Sequence, residues 1–480
     1  MNFFGRESQL ADLQALWGKS VASLCTCRGR RRIGKSTLIE RFAALSNARF
    51  IKIEGVKPKP NYDNDSELKA FALQLSAQTG ADDTPPSNWL NAFLRLDREI
   101  HDDERTVVLL DEVSWLGYFD EMFADTIKIA WDNYWKKHDR LVVVLCGSVS
   151  GWIKENIIDN SAFMGRRSLD MEVRELPLAQ CVKFWGNAVG RIDVREIIDV
   201  LSVTGGVPRY LEEVDPGLSA DENIRRMAFR AKSTLRTDFD EMFLDAITRQ
   251  PQLSGRVIRS LVGGAMSVTE VARELGMEKG GKISDALELL KEAGLVALDA
   301  GRNPETGSRQ RERRYRLKDN YSRFYLKYIE PEKDMIDDGS YSFIGLNSLD
   351  GWESIMGYAF ENLVVNNYPD LIGPLHLGNA LIESAAPFRR ASSGQGKGVQ
   401  IDLLLQTRRA LYVVEVKRQR EIGREVIREV EEKVARIDRP AGKSIRTALV
   451  YDGHLAPIVE TDNYFDAIVP FRSLLGLGQN

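Results

Sequence analysis

The sequence predicts an α/β protein whose first domain is built around a parallel sheet. Residues 22–27 form a short apolar run, followed by the glycine-rich segment 28–37 and then by a helical pattern that continues to residue 45. Two further apolar runs, residues 105–112 and 141–148, end in polar side chains. Buried parallel strands are apolar throughout and carry ligand-binding residues at their carboxyl ends, so the three runs indicate one sheet.

The size and composition of the chain indicate several globular domains. A length of 480 residues corresponds to about two to four domains. Hydrophobic residues make up 43% of the chain and charged residues 28%, as is typical of globular proteins. The net charge is −4, from 66 basic and 70 acidic side chains, so any surface that binds nucleic acid must be local.

Composition also bears on location. No apolar run reaches the length of about 18 residues that a membrane span needs, so we expect no membrane partner. The N-terminal residues do not form a secretory signal. Four cysteines and four histidines are too few to indicate a disulfide framework or a histidine-based metal site. We therefore expect reduced cysteines in the core and a cytoplasmic protein.

Residues 29–37 match the phosphate-binding pattern G-x-x-x-x-G-K-[ST]. Two glycines let the backbone curl so that successive N–H groups point at an anion. The lysine supplies a charge for the β- and γ-phosphates, and the serine hydroxyl is placed to bind Mg²⁺. The sequence therefore predicts ATP with Mg²⁺ as the ligand, and the predicted binding residues are Gly29, Arg32, Ile33, Gly34, Lys35, Ser36 and Thr37.

Two acids at the end of the second apolar run are candidates for the hydrolytic site. Asp111 is expected at the carboxyl end of a buried strand, where it holds Mg²⁺ together with Ser36 of the loop. Glu112 is the candidate base that activates water; the alternative is that both acids cap the following helix. Ser148 is a candidate nucleotide sensor or an ordinary turn residue. Arg166 or Arg167 is a candidate phosphate contact, in its own subunit or in a neighbouring one of a homo-oligomer.

Residues 251–330 have the element order of a winged helix-turn-helix. Ser267, followed by Glu270 three residues later, forms a capping box at the start of the second of three predicted helices. The polar face of the third helix is half acidic, so DNA phosphates are expected on the wing instead. The arginines of the wing are Arg302, Arg309, Arg311, Arg313, Arg314 and Arg316. The alternative is a structural winged helix that never contacts DNA.

Four residues of the C-terminal region, 335–480, share one chemical logic. Glu361 lies in a predicted helix and Asp402 begins a predicted strand. Glu415 and Lys417 lie two residues apart on the next strand, so their side chains point to the same side. The two strands are close in sequence and are expected to form a hairpin that brings Asp402 near Glu415. Residues 394–398, a glycine-rich segment, are either a loop that contacts nucleic acid or a hairpin tip.

The first part of the chain resembles the prokaryotic ATPases of the STAND/AAA-like branch, often called the archaeal ATPase family. The resemblance covers about residues 1 to 330 and rests on G-R-R-R-I-G-K-S-T at 29–37, L-L-D-E at 109–112, L-C-G-S at 145–148 and T-G-G-V-P-R-Y-L at 204–211. It implies a P-loop core of the ASCE type followed by a helical lid. It also implies that Arg209 is a second nucleotide sensor, although the residues alone indicate only a turn that leads into a helix.

The C-terminal region resembles the PD-(D/E)XK nuclease superfamily, through Glu361, Asp402 and the E-x-K pair of Glu415 and Lys417. Such a domain is commonly fused to this ATPase family. The resemblance implies Mg²⁺ held by Asp402 and Glu415, with Glu361 in support and Lys417 acting on water or phosphate. The proline of the usual motif is absent, since Ile401 precedes Asp402. The alternative is a degenerate fold used for docking.

The sequence thus predicts a P-loop core at 1–170, a helical lid at 171–250, a winged helix at 251–330 and a restriction-endonuclease-like α/β domain at 335–480. The expected function is an ATP-binding and ATP-hydrolysing switch that controls a Mg²⁺-dependent DNA nuclease, in genome defence by inference from the family. DNA is the expected partner, through the wing and the C-terminal domain. The alternative is an ATP-gated regulatory protein that binds DNA or another partner without cleavage.

Overall fold

The computed structural model describes residues 3–148, 151–247, 250–278, 280–304, 306–310, 313–378, 380–391, 398–437 and 442–478. Among the predicted residues, Arg311 and most of the glycine-rich segment 394–398 lie outside the described residues. The chain divides into two compact units, Met1–Glu175 with Met242–Arg249, and Leu176–Glu241 with Gln250–Asn480. The first boundary lies close to the predicted one at residue 170, whereas the four-domain division stays a prediction. Within the described residues, no helix is long and apolar enough to cross a membrane.

The first unit contains a five-stranded parallel sheet in the order β2-β3-β4-β1-β5. The strands are β1 (Ser23–Arg28), β2 (Arg49–Glu54), β3 (Thr106–Asp111), β4 (Leu141–Gly147) and β5 (Arg167–Glu172). Strands β3 and β4 are buried along their whole length, as expected when helices cover both faces of a parallel sheet. Strand β4 lies between β1 and β3, so the phosphate-binding loop and Asp111 follow non-adjacent strands.

Two helices of this unit adjoin the predicted nucleotide site, one beginning at Lys35 and one following Glu112. The helices of the unit are α1 (Glu7–Ala15), α2 (Lys35–Leu45), α3 (Asn64–Thr79), α4 (Trp89–Arg98), α5 (Val113–Leu116), α6 (Phe123–Asn133) and α7 (Gly151–Ile153). Aromatic side chains from α3, α4 and α6 form much of the core on one side of the sheet. Trp89 packs edge-on against both Phe71 and Phe123, and all three side chains are buried.

The second unit begins with a helical segment. Its helices are α8 (Leu178–Cys181), α9 (Val194–Thr204), α10 (Pro208–Leu211), α11 (Ala220–Ala228) and α12 (Thr234–Ala246), of which the last five residues belong to the first unit. Asp193 and Ser219 cap α9 and α11 with their side chains. The segment is helical as predicted for the lid, and the lid assignment itself stays a prediction.

Three helices and a small antiparallel sheet follow. They are α13 (Pro251–Ser260), β6 (Met266–Ser267), α14 (Val268–Glu274), α15 (Gly281–Glu292), β7 (Val296–Asp299) and β8 (Arg314–Leu317), and the strand order is β6-β8-β7. Both hydrogen bonds of the capping box between Ser267 and Glu270 are present. The winged-helix prediction was based on these helices and strands.

The polar composition of residues 331–340 indicates a linker, but most of this stretch is helical. The chain continues helically from α16 (Asn320–Phe324) through a turn of 3-10 helix to α17 (Lys333–Asp337). The physical reason is that this stretch has partners within the second unit. Lys333 pairs with Asp240 at 2.8 Å, Arg236 pairs with Asp337 at 2.6 Å, and Ile336 is fully buried.

The C-terminal region is a mixed five-stranded sheet with helices around it. Helix α18 (Trp352–Asn366) precedes β9 (Ile382–Arg390), β10 (Val399–Thr407), β11 (Ala410–Ile422), α19 (Glu425–Ala435), β12 (Ser444–Leu455), α20 (Pro457–Thr461), β13 (Ala467–Pro470) and α21 (Phe471–Leu474). The order is β13-β12-β11-β10-β9. Strands β9, β10 and β11 pair antiparallel. Strand β11 pairs parallel with β12 and β12 pairs parallel with β13, and these connections contain α19 and α20 respectively.

Asp402 does not begin its strand, as the sequence had indicated, but lies inside β10. Regular pairing between β10 and β11 starts one residue later, at Leu403 and Val414. The register between β10 and β9 shifts between Ile401 and Leu404, so Asp402 stands at an irregularity of the ladder. Such bulges reorient a side chain and are frequent beside active sites.

Candidate functional site

The phosphate-binding loop has the backbone geometry that its two glycines were expected to permit. Gly34 has a φ of +83°, a conformation that favours glycine. A Cβ atom on Gly29 would lie 2.3 Å from the carbonyl oxygen of Val173, so any side chain there would displace the backbone. Arg32 also has a positive φ, of 70°. The loop is therefore held in one shape by steric constraints.

Lys35 starts helix α2 and is buried beneath the loop. Its Nζ donates hydrogen bonds to the carbonyl oxygens of Gly29 (3.0 Å) and Arg30 (3.2 Å). An ammonium group held on weak acceptors, at the N-terminus of a helix, is available to a phosphate anion. The side chain of Ile33 is fully buried, and its carbonyl accepts a hydrogen bond from Arg6 at 3.1 Å. Thr37 follows in the first turn of α2.

Ser36 and Asp111 lie together, as the predicted magnesium site requires. The Ser36 hydroxyl donates a hydrogen bond of 2.6 Å to Oδ2 of Asp111. Sequence reasoning missed Lys52, whose Nζ lies 3.4 Å from the same oxygen. Burial lowers the pKa of Lys52, but the charges of Asp111 and Glu54 outweigh this effect and raise it. The signal in the sequence was a lysine within an otherwise half-buried strand, β2.

Glu112 occupies a constrained position directly after β3. It has a φ of +47° and stands at the N-cap position of α5, but its side chain makes no capping hydrogen bond. Its Oε2 atom is buried and has no hydrogen-bond partner among the described residues. Burial raises the pKa of Glu112, Lys35 opposes this, and Asp111 adds to it. The backbone N–H of Ser148, which is itself buried, also donates to this carboxylate. The helix-cap alternative therefore does not describe Glu112.

The three arginines predicted to contact phosphate all have protein partners. Arg166 makes a two-pronged ion pair with Asp132 at 2.8 and 2.9 Å. Arg167 donates to the carbonyls of Ile157 and Ile158. Arg209 pairs within its own helical region, 2.8 Å from Glu213. Each would have to leave these contacts to reach a nucleotide.

Three acids of the C-terminal region act on one another electrostatically. Burial raises the pKa of Glu361, and the charges of Asp402 and Glu415 raise it further. Burial and Glu415 likewise raise the pKa of Asp402. One oxygen of Asp402 accepts a hydrogen bond of 2.9 Å from the backbone N–H of Val416, between Glu415 and Lys417. Residues from α18, β10 and β11 that are distant in sequence therefore meet at one place.

Two lysines contact Glu415, whose side chain is almost fully buried. Lys417 lies 3.2 Å from one oxygen, and Lys433 of α19 contacts the other. Lys417 also pairs with Glu429. Burial lowers the pKa of Lys417, but the hydrogen bond to Glu429 and the charge of Glu415 outweigh burial and raise it. Sequence reasoning missed Lys433, which interrupts the apolar stripe of α19 three residues after Val430.

The metal prediction gains no direct geometric support. In the part of the chain that the structure describes, no group of three or more His, Cys, Asp or Glu side chains is arranged to hold a metal ion. Metal binding by Asp402 and Glu415, and by Ser36 with Asp111, therefore stays a prediction.

The arginines of the predicted wing do not form one exposed stripe. Arg314 pairs with Glu270 at 2.7 Å and Arg316 with Asp299 at 3.2 Å, and both arginine side chains are largely buried. Arg316 also donates to Asn362 of α18. Arg313 is more than half exposed, 3.4 Å from Glu288. Strand alternation places Arg314 and Arg316 on the face of β8 opposite the buried Tyr315 and Leu317. Their acidic partners and helix α18 cover that face.

Comparison with known proteins bears on the first part of the chain. Residues 3–214 match the family described as an ATPase domain predominantly from Archaea. The solved structure of the Walker-type ATPase PABY2304 of Pyrococcus abyssi is 16% identical, with a TM-score of 0.51, and the match covers 68% of this chain and 96% of that one. The ORC2 protein of Aeropyrum pernix, solved as ADPNP-ADP complexes, is 13% identical with a TM-score of 0.44, covering 70% and 96%.

A curated relative covers more of the sequence. The uncharacterized protein MJECL04 of Methanocaldococcus jannaschii is 23% identical over 419 residues, which is 86% of each chain. The family match ends at residue 214, so the nuclease resemblance and the STAND/AAA-like branch stay predictions. The α/β fold with its parallel sheet resembles that of P-loop ATPases, and the N-terminal part of the chain is an ATPase domain of the archaeal type.

Proposed function

We propose that this protein is an ATP-binding and ATP-hydrolysing switch that controls a Mg²⁺-dependent nuclease centre in its C-terminal region. The observation that carries the proposal is the meeting of Glu361, Asp402 and Glu415 in a buried place together with Lys417. Three carboxylates side by side are costly to bury unless positive charge joins them. The ATPase domain supplies the second half of the proposal.

The residues of the phosphate-binding loop fit ATP with Mg²⁺. Lys35 donates hydrogen bonds to two carbonyl oxygens. A phosphate would replace these oxygens, because a charged acceptor forms a stronger hydrogen bond with an ammonium group. Ser36 and Asp111 share a hydrogen bond, so their oxygens are close enough to serve the same cation. The unpartnered oxygen of Glu112 is free to accept a proton from water. When bound, Mg²⁺ neutralises charge on the β- and γ-phosphates.

The C-terminal acids fit a hard cation in the chemistry of their donors, since Mg²⁺ prefers carboxylate oxygen. There, a bound Mg²⁺ polarises a phosphodiester and lowers the pKa of water. Asp402 is oriented by the N–H of Val416, which leaves its second oxygen for a ligand. Lys417 is close enough to Glu415 to stabilise negative charge that develops on phosphate.

A charged cluster offers a route by which the helical segment influences this centre. Arg418, the residue after Lys417, pairs with Asp199 of helix α9 and lies 3.6 Å from Asp452 of β12. Arg195 of α9 lies 3.9 Å from the same Asp452. A shift of α9 would therefore pull on the strand that carries Glu415 and Lys417. Helix α9 falls within the predicted lid, the part of such ATPases expected to respond to nucleotide.

A cleavage assay tests the proposal. Plasmid DNA is incubated with the full chain and Mg²⁺ or Mn²⁺, with and without ATP, beside Asp402→Ala and Lys35→Ala. We expect cleavage that Asp402→Ala abolishes and whose dependence on ATP Lys35→Ala removes. Cleavage by Asp402→Ala at the wild-type rate would show that this centre is not a nuclease. Cleavage with no response to ATP in either protein would refute the switch while keeping the nuclease.

One observation favours a second function, an ATP-gated binding protein that does not cleave. Lys433 already contacts the oxygen of Glu415 that a cation would need, and a lysine ammonium group is a common substitute for a lost metal. Under this alternative, DNA is bound equally well with Mg²⁺ and with EDTA. Absence of cleavage in Mn²⁺, together with DNA binding that depends on ATP, would select the second function.

A further inference from the structure

The nuclease-like centre opens into a cavity of about 460 Å³ within the second unit. Its walls come from β8, α16 and α18 and from strands β9 and β10, so the predicted wing and the C-terminal sheet both contribute. Glu361 and Asp402 form part of its surface. The volume is in the range of pockets that enclose small ligands, about 300–1,000 Å³. A pocket of this size accepts one nucleotide, and a paired duplex would stay outside it.

One face of helix α18 gives the cavity an aromatic wall. Tyr358, Glu361, Asn362 and Val365 all line it, at the spacing of a single helical stripe. Tyr358 is 36% exposed, although most of its helix is buried. The guanidinium of Arg323 lies over the Tyr358 ring, 5.5 Å from its centre, in the geometry of a cation–π contact. An exposed ring in contact with a cation is a platform on which a base can stack.

Arg323 is also a buried cation with an unused donor. It is 2% exposed, and it donates to the carbonyls of Leu317 and Val262. Its Nε atom is buried without a hydrogen-bond partner among the described residues. Burial lowers its pKa to about 10, so it keeps its charge at neutral pH, and Glu361 contributes to holding it. The cavity wall therefore contains a buried positive charge that interacts with Glu361.

Two exposed arginines complete the lining. Arg273 of α14 and Arg389 of β9 both line the cavity, and neither side chain takes part in a hydrogen bond or ion pair within the described ranges. The acids Glu270 and Asp299 of the same wall are already paired with arginines. The cavity thus has two exposed cations available to phosphates, and the acids Glu361 and Asp402 line the same cavity.

From this lining we infer that the cavity binds an unpaired nucleotide of a single-stranded nucleic acid, with its base on Tyr358 and its flanking phosphates on Arg273 and Arg389. The inference rests on the proposed nuclease function, because it names the substrate that would reach Asp402. Single strands are bound by just such a combination of aromatic faces and cations, and enzymes that act on nucleic acid hold unpaired bases in pockets of this kind. The substrate class would then be single strands, flaps or frayed ends.

The test measures binding without cleavage. Fluorescence anisotropy follows a labelled oligothymidylate, and a blunt duplex of equal length, binding to the full chain in EDTA. We expect the single strand to bind more tightly than the duplex. Tyr358→Ala and Arg389→Ala should each weaken binding of the single strand about tenfold or more, and for Tyr358→Ala this corresponds to the loss of one stacked base. Arg408→Ala is the matched control, since Arg408 is an exposed arginine at the far end of β10 that does not line the cavity.

Each outcome has one meaning. Preference for the duplex, or wild-type affinity in Arg389→Ala and Tyr358→Ala, would overturn the inference. Tyr358→Phe keeps the ring and should retain most of the affinity, which separates stacking from damage to the fold. Asp402→Ala should bind the single strand and fail to cleave it. If the wild type cleaves nothing but the cavity variants still lose binding, the nuclease proposal fails and the nucleotide cavity stands.

Discussion

The ion pair between Asp199 and Arg418 is expected to cost stability at neutral pH. Burial raises the pKa of Asp199 to about 6 from 3.8, because the loss of water outweighs the attraction of Arg418 and Arg195. Asp452 and Asp221 add repulsion. A group whose folded pKa is raised binds more protons when folded than when unfolded, so stability falls as pH rises between the two values. At about 1.4 kcal/mol per pKa unit, the cost of the charged form approaches 3 kcal/mol at most.

The perturbation is Asp199→Asn, which keeps the shape and one acceptor for Arg418 but removes the charge. We expect the variant to be more stable than the wild type by about 1–3 kcal/mol at pH 7.5, because the unfavourable burial of a carboxylate is removed. The difference should shrink as pH falls below 6 and vanish only about one pH unit below 3.8, where Asp199 of the wild type is protonated in both states. Urea unfolding of both proteins in parallel across this range measures it.

A destabilised Asp199→Asn at pH 7.5, or a difference that is constant with pH, would refute this reasoning. It would mean that the attraction of Arg418 exceeds the cost of burial. The result also bears on function. If the ion pair lowers stability, some other advantage must explain its presence. Transmission of movement between helix α9 and strand β11 would be such an advantage. Asp199→Asn should then weaken the response of cleavage or DNA binding to ATP while the protein stays folded.

Four further predictions concern the two sites. Lys35→Ala should abolish nucleotide binding in a calorimetric titration, and retained affinity would contradict the assignment of the loop. Glu112→Gln should keep ATP affinity and lose turnover, because the group that accepts the proton of water is gone; unchanged turnover would leave Glu112 without a catalytic role. Arg313→Glu should lower the salt slope of DNA binding by about one, as expected for one lost phosphate contact, and an unchanged slope would indicate that the predicted wing is structural. Lys433→Met should destabilise the protein by about 1–3 kcal/mol in EDTA, because Glu415 loses one of its two partners, and Mg²⁺ or Mn²⁺ should restore part of that loss; no response to metal would favour the alternative that does not cleave.

The nucleotide site was predictable because its parts are local in sequence. Nine consecutive residues specify the loop, and the apolar run before Asp111 specifies a buried strand with an acid at its end. In the C-terminal region, the E-x-K spacing placed Glu415 and Lys417 on one face of a strand, and the two side chains lie 3.2 Å apart. The residues that sequence reasoning missed act from other elements. Lys52 reaches Asp111 from β2, and its pairing depends on strand order, which no local pattern encodes.

The wing shows a second limit, which is that charge patterns do not reveal burial. Arg314 and Arg316 have the same chemistry as Arg313, yet only Arg313 is well exposed. The distinction comes from packing, since Arg316 reaches Asn362 of helix α18 and Asp299 of β7. A stripe of arginines read from sequence therefore overestimates the surface available to DNA. Packing likewise explains the helical structure of the polar residues 333–337, since Lys333 pairs with Asp240 and Asp337 pairs with Arg236.

The charges around Glu415 give a physical reason why this centre would take a metal ion. Four acids interact there, Glu361, Asp402, Glu415 and Glu429, against the three cations Lys417, Lys433 and Arg323. When all seven groups are ionised they carry one net negative charge. Burial is the main cause of the raised pKa values of Glu361 and Asp402, and the neighbouring carboxylates add to it. A divalent cation would supply one charge more than is needed, and a phosphodiester carries the one negative charge that restores balance. A surface used only for docking would not need a bound cation, because a fourth lysine or the loss of one acid would neutralise the group of charges. A divalent cation bound together with a phosphodiester would offset the repulsion among these carboxylates, which is the electrostatic argument for a metal-dependent nuclease centre.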